Sequence, residues 1–238
     1  MKSKHSAATS KVCPTDATSL IEQSLELDYF HPNEEGVTAI PAFYRRGVGN
    51  LVVVVGENAS GKSFYRRIVQ AICMQLKIEC IHLSMEGRRK IAYNPIMTLV
   101  YGNEERDSTG VNSAHMVMMG IKTCREREIE HVIFWDEPDI GLSDSAAAGV
   151  GFAMHEFAKQ MPKHTLAAIV VTHNKSLLAQ LLDLNPHYLC LGEEVAPPTL
   201  KAWIKKPATV RLPDDVCKVG HERWKLIQTI LVKKRLVR

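Results

Sequence analysis

No apolar run in the 238 residues approaches the roughly 20 residues that a membrane-crossing helix needs. That argues against a helical membrane span. The polar, Ser/Thr/Ala-rich stretch from Met1 to Leu20 has no apolar core of the kind a secretory leader carries. Residues 1–20 are therefore expected to be a disordered lead-in, and the protein to be cytoplasmic. The six cysteines (Cys13, Cys73, Cys80, Cys124, Cys190 and Cys217) are scattered with no C-x-x-C pair. That spacing argues against a structural zinc site and points to reduced thiols used as small buried residues. No internal repeat and no heptad run long enough for a coiled-coil arm occurs. Charge of one sign is also scarce. A net +4 permits a nucleic-acid or acidic partner without arguing for one. At 45% hydrophobic and 24% charged residues, residues 21–238 suit a single globular domain with a large core.

Against these absences one segment stands out. Val52, Val53, Val54 and Val55 predict a buried strand, and a complete G-x-x-x-x-G-K-S loop follows at once: Gly56, Glu57, Asn58, Ala59, Ser60, Gly61, Lys62, Ser63. Backbone N–H groups in such a loop, with the start of the next helix, form a concave anion site. Lys62 can reach β- and γ-phosphates, and the Ser63 hydroxyl can bind Mg²⁺. Phe64 opens the helix that follows, with Ile68, Ala71, Ile72 and Leu76 at spacings of three and four. A strand at Ile78 to Leu83 comes next. Strand, loop, helix and strand predict an α/β fold of the P-loop NTPase type, a mainly parallel sheet flanked by helices, and binding of a nucleoside triphosphate.

Two further strands end in polar residues. His131 to Trp135 runs into Asp136, Glu137 and Pro138. A strand tip beside a phosphate loop is where an acid completes Mg²⁺ coordination. Neighbouring strand residues face opposite ways, so one acid can hold the metal while the other polarises the attacking water. Leu166 to Val171 ends in Thr172, His173 and Asn174, where a His can reach a γ-phosphate or position water.

Phosphate loop, then strand plus Asp136-Glu137-Pro138, then strand plus Thr172-His173, resembles the ATP-binding cassette (ABC) ATPase superfamily over roughly Leu25 to Leu191. The resemblance implies ATP and Mg²⁺ as ligands, Glu137 as catalytic base, Asp136 at the metal and His173 as switch histidine. It also implies a D-loop at Asp139 to Asp144 and a homodimer formed around two ATP. The family's signature segment, which caps ATP on the opposite subunit, is best matched by Ser108-Thr109-Gly110 ahead of a helical run through Val111, Ala114, Met118 and Ile121. The L-S-G-G-Q form is absent. The reduced S-x-G form resembles the soluble cassette ATPases of DNA repair, chromosome maintenance and phage defence, which work on a protein effector or a DNA transaction. Without coiled-coil arms, a full-length chromosome-maintenance architecture is excluded.

The family's coupling glutamine has no counterpart, since no glutamine lies between Gln75 and Gln160. His82, Ser84, Glu86 and Asn94 remain open as substitutes. Tyr29, Phe30 and Tyr44 remain open as the aromatic that stacks on adenine. Residues Ser84 to Gly110 are too long and irregular for a simple connection and predict a small inserted helical lobe at about 84–125. Pro197, Pro198 and Pro207 punctuate the stretch after a strand at Tyr188 to Leu191. A closing helical extension at about 213–238 carries Trp224, Ile227 and Leu231 on one face and ends in basic residues. Two other readings share the phosphate loop: the nucleotide-binding subunit of an ABC transporter and a P-loop small-molecule kinase.

Overall fold

The computed structural model describes residues 13–85 and 107–236, with side chains described to residue 233. Its strands are β1 (Ala42–Arg45), β2 (Leu51–Val55), β3 (Glu79–Ser84), β4 (His131–Asp136), β5 (Thr165–Val171) and β6 (His187–Leu191). They form a six-stranded sheet in the order β1-β6-β2-β5-β4-β3, parallel throughout except for β1, which runs antiparallel to β6. The helices are α1 (Ala17–Leu25), α2 (Lys62–Leu76), α3 (Thr109–Glu126), α4 (Asp144–Lys159), α5 (Lys175–Ala179), α6 (Leu200–Lys205) and α7 (Pro213–Leu236). This is the mixed α/β, mostly parallel architecture of a P-loop NTPase fold. Among the described residues no helix is long and apolar enough to cross a membrane.

The near-continuous apolar runs of β2, β4 and β5 follow from burial on both faces of the sheet. Side chains alternate faces along a strand. Val53, Val55, Ile133, Trp135, Ala168 and Val170 therefore meet α3, α4 and α5 on one side. Val52, Val54, Val132, Phe134, Ile169 and Val171 meet α1, α2 and Ile227 of α7 on the other. Each fully buried Val, Ile or Phe stabilises by roughly 1.5–3 kcal/mol, so both layers are held firmly.

Local details depart from the sequence expectations. Part of the expected lead-in is ordered: Asp16 caps α1, accepting from Ser19 N at 2.8 Å, and Ala17, Leu20 and Ile21 are buried. On α2 the buried stripe is Tyr65, Ile68, Val69 and Cys73, whereas Ala71 is exposed. Half of the expected lobe at 84–125, residues 86–106 with Glu86 and Asn94 among them, lies outside the described residues. Its last part is α3, which buries Met116, Val117, Ile121 and Cys124 in the sheet's own core and so belongs to the main body. On α7 the face turned inward is Leu226, Ile227, Ile230 and Leu231, and Trp224 is 42% exposed.

Candidate nucleotide site

β2 ends at Val55 in the middle of the sheet, and residues 56–61 carry the chain into α2. Gly56 lies so close to neighbouring backbone that a Cβ there would fall 2.5 Å from Leu191 O. Gly61, at φ 103°, adopts a left-handed conformation that a side chain would strain. Ala59 also takes a left-handed φ of 62°. The first turn of α2 has no side-chain cap. By contrast Asp16, Ser108, Ser143, Asn174 and Thr199 cap α1, α3, α4, α5 and α6. Orphan N–H groups at an uncapped N-terminus, with the dipole behind them, suit an anion.

Lys62 is 7% exposed, and its Nζ donates to Gly56 O at 2.8 Å and Glu57 O at 3.1 Å. Burial pulls this ammonium below its ordinary value, opposed by the nearby carboxylates of Glu137, Asp136 and Glu57. Ser60 Oγ is buried without a hydrogen-bond partner. A buried hydroxyl in that state is costly, and a phosphate oxygen would satisfy it. Ser63 is exposed at the mouth of the loop.

Register brings the other two strand tips level with the loop. Val54 pairs with Val171, and Val171 with Asp136. β5 stands between β2 and β4, so the Asp136 strand is not the immediate neighbour of the phosphate-loop strand. The backbone N–H of Glu137 donates to Val171 O at 2.8 Å, and Glu137 takes a left-handed φ of 51°. That turn separates the two acids. Asp136 points to α2 and β3: its Oδ2 lies 3.4 Å from Arg66 Nε and 3.8 Å from His82 Nε2. Glu137 instead lines a cleft of about 320 Å³ with Lys62, Ser63 and Phe64. His173 Nδ1 is 3.7 Å from Glu137 Oε1, and its ring lies in a separate hollow with Glu57, Asn58 and Lys175. Thr172 is buried and donates to Asp139 Oδ1 at 2.6 Å, which ties the β5 tip to the loop after β4.

Among the described residues, no group of three or more His, Cys, Asp or Glu side chains could hold a metal ion. Ser63 and Asp136 nonetheless fit the protein's share of a magnesium shell, since both offer hard oxygen donors and phosphate and water complete such sites.

Ser108 and Gly110 do not line this cleft. Ser108 Oγ accepts from Val111 N at 3.4 Å as the cap of α3. Gly110 lies against the loop after β4, where a Cβ would stand 2.5 Å from Gly141 O. Ser113 Oγ donates to Ile140 O at 2.7 Å in the same contact. The segment expected to carry the signature thus packs directly on the expected D-loop.

The three aromatics named for adenine are not among the residues that line the cleft. Tyr29 is buried with its ring 4.9 Å from that of Phe64, and Phe30 is buried with its ring 6.2 Å from that of Tyr65. Tyr44 stacks on His187 and bonds its Nδ1 at 2.8 Å. Of the candidates for the missing glutamine, the structure brings His82 to Asp136. Ser84 pairs with Asp136 in the sheet register, and Glu86 and Asn94 lie outside the described residues. What sequence reasoning missed is the far wall of the cleft: Gly220, Arg223, Trp224 and Ile227 of α7. No local motif marks them, because they meet the loop from some 160 residues downstream.

No protein-family model matches the chain, and no curated protein does. Among solved structures, that of Cdc6p from Pyrobaculum aerophilum overlays 72% of this chain and 43% of its own at 15% identity, with a TM-score of 0.32. The chain thus spans less than half the length of that protein, a likeness too slight to carry function across.

Proposed function

We propose that the chain is an ABC-type ATPase that binds ATP with magnesium, pairs with a second copy around two nucleotides, and hydrolyses ATP to control a protein effector or a DNA transaction. One observation carries this reading. An uncapped helix N-terminus, a buried Lys62 and the carboxylate of Glu137 converge on one cleft at the edge of the sheet where the parallel strands end. Ligands of open parallel sheets bind at that edge.

In this reading Lys62 exchanges the carbonyls of Gly56 and Glu57 for β- and γ-phosphate oxygens. Residues Gly56 to Phe64 cradle the phosphates through backbone N–H groups, and Ser60 gains the partner it lacks. Ser63 and Asp136 would hold magnesium, which when bound neutralises charge on the phosphate oxygens. For that, Asp136 must turn from Arg66. Glu137 takes the proton from the attacking water, and His173, within 3.7 Å of it, senses the γ-phosphate. Ser108 and Gly110 act across the pair, toward the nucleotide of the second copy. In support, Val111 and Ile140, 55% and 38% exposed, present apolar surface at the contact between α3 and the loop after β4.

The test is the solution mass of wild type and Glu137→Gln with and without ATP and Mg²⁺, and with short duplex DNA. A monomer that becomes a stable dimer only when Glu137→Gln holds ATP supports pairing. A further increase with DNA favours the DNA branch. A mass that ATP leaves unchanged removes the trans role of Ser108 and Gly110.

A further inference from the structure

The cleft beside the phosphate loop has two unlike walls. One is the loop itself with Glu137 at its end, a surface for phosphate. The other belongs to α7 and is apolar and aromatic: Gly220, Trp224 and Ile227, with Arg223 between them. Of the chain's three tryptophans, Trp135 and Trp203 are 0% and 4% exposed, whereas Trp224 is 42% exposed and faces this opening. Among the described residues no other aromatic ring is paired with it. Arg67, one turn into α2, is exposed at the same mouth.

Arg223 explains why α7 lies here. Its Nε donates to Ala39 O at 3.2 Å and its Nη2 to Gly192 O at 3.3 Å, and its Nη1 donates to Ala59 O. Ala59 is the left-handed residue within the phosphate loop, so one half-buried guanidinium joins α7 to the backbone of the phosphate site. Gly220, one turn earlier, faces the same loop residue: a Cβ there would make ordinary contact with Ala59 Cβ at 3.5 Å. Ile227, 2% exposed, pins the next turn to the core. Trp224 is thus carried on a helix fixed at both sides of it.

We infer that α7 is the base-binding wall of the nucleotide site, with the Trp224 indole as the platform on which the purine stacks and Arg223 as the residue that positions it. This rests on the nucleotide reading above and names a recognition residue for it. A cleft of about 320 Å³ is at the lower end of small-molecule sites. An indole lining the same cleft as the phosphate loop favours a nucleotide over a free polyphosphate, because every base has a face to stack and tripolyphosphate has none.

The experiment compares ATP with inorganic tripolyphosphate, each with Mg²⁺, by calorimetry on wild type, Trp224→Ala and Trp224→Phe. Base–aromatic stacking predicts that Trp224→Ala weakens ATP about 5- to 150-fold while tripolyphosphate binds as to wild type. Trp224→Phe should recover most of the loss. Tripolyphosphate binding also serves as the check that the variant retains the phosphate site. ATP affinity unchanged in Trp224→Ala would overturn the platform and leave the nucleotide reading standing. An equal loss for both ligands would also overturn it, by assigning Trp224 to the shape of the cleft. Wild type that binds neither ligand would overturn the nucleotide reading, and the platform with it.

Discussion

Asp136 is held by Arg66, and that pairing sets a measurable competition. The Arg66 and Asp136 side chains are 14% and 13% exposed, with Nε and Oδ2 3.4 Å apart, and His82 Nε2 stands 3.8 Å from the same oxygen. Exposed pairs contribute about 0.2–1 kcal/mol, and leaving a fully buried partner unpaired costs about 3–5 kcal/mol. This pair lies between those limits, so Arg66→Met should cost about 1–3 kcal/mol without magnesium. For a chain of this size each kcal/mol shifts the melting temperature by about 2–4 °C, so melting should fall by roughly 2–12 °C. With ATP and Mg²⁺ the gap should narrow, because a cation then balances Asp136, and the variant should saturate at about 5- to 150-fold less Mg²⁺. The assay is thermal melting against a Mg²⁺ titration at fixed ATP. Unchanged melting without Mg²⁺, or a higher Mg²⁺ requirement in the variant, would refute the competition.

Gly110→Ala should destabilise by about 1–3 kcal/mol, since its Cβ would fall 2.5 Å from the backbone oxygen of Gly141, and the loop after β4 must shift to admit it. An unchanged melting temperature would show that α3 and this loop are not tightly packed. Stability should also fall in acid through His131 and His187. Burial pulls both imidazoles below the ordinary 6.5. His131 Nδ1 donates to Ile129 O at 2.8 Å and Nε2 accepts from Thr165 at 2.9 Å, an arrangement that suits the neutral ring, with Arg127 adding a cation nearby. The unfolded chain takes up these protons as pH falls through about 6.5, and the folded chain only at lower pH. Stability is therefore full above that value and declines below it, at up to ~1.4 kcal/mol per pH unit for each group. Denaturant midpoints between pH 8 and 5 measure this, and His131→Gln should flatten part of the slope.

The strands that bear the site were legible because burial on both faces writes them as unbroken apolar runs, as in Val52 to Val55 and Val132 to Trp135. The phosphate loop was legible because its backbone demands glycine at Gly56 and Gly61. Pairing between strands is not local, so the insertion of β5 between β2 and β4 left no mark in the sequence, and β1, a half-exposed edge of four residues, was not anticipated. The start of α1 was legible in principle from Asp16 and Ser19 ahead of Leu20 and Ile21, but the polar composition before them hid it. The aromatic beside the phosphate loop was sought upstream of it among Tyr29, Phe30 and Tyr44. Tyr29 and Phe30 are buried and Tyr44 is half-buried against His187, while the exposed ring that lines the cleft is Trp224 of α7.

The central claim is that Glu137 activates water against ATP held at the phosphate loop. Phosphate release from ATP with Mg²⁺, measured on wild type and Glu137→Gln alongside ATP affinity, tests it most directly. The account predicts free phosphate from wild type, and a fall of about 10²–10⁴-fold in Glu137→Gln with ATP binding retained. Equal rates in the two proteins, or transfer of the phosphoryl group to an acceptor other than water, would contradict it.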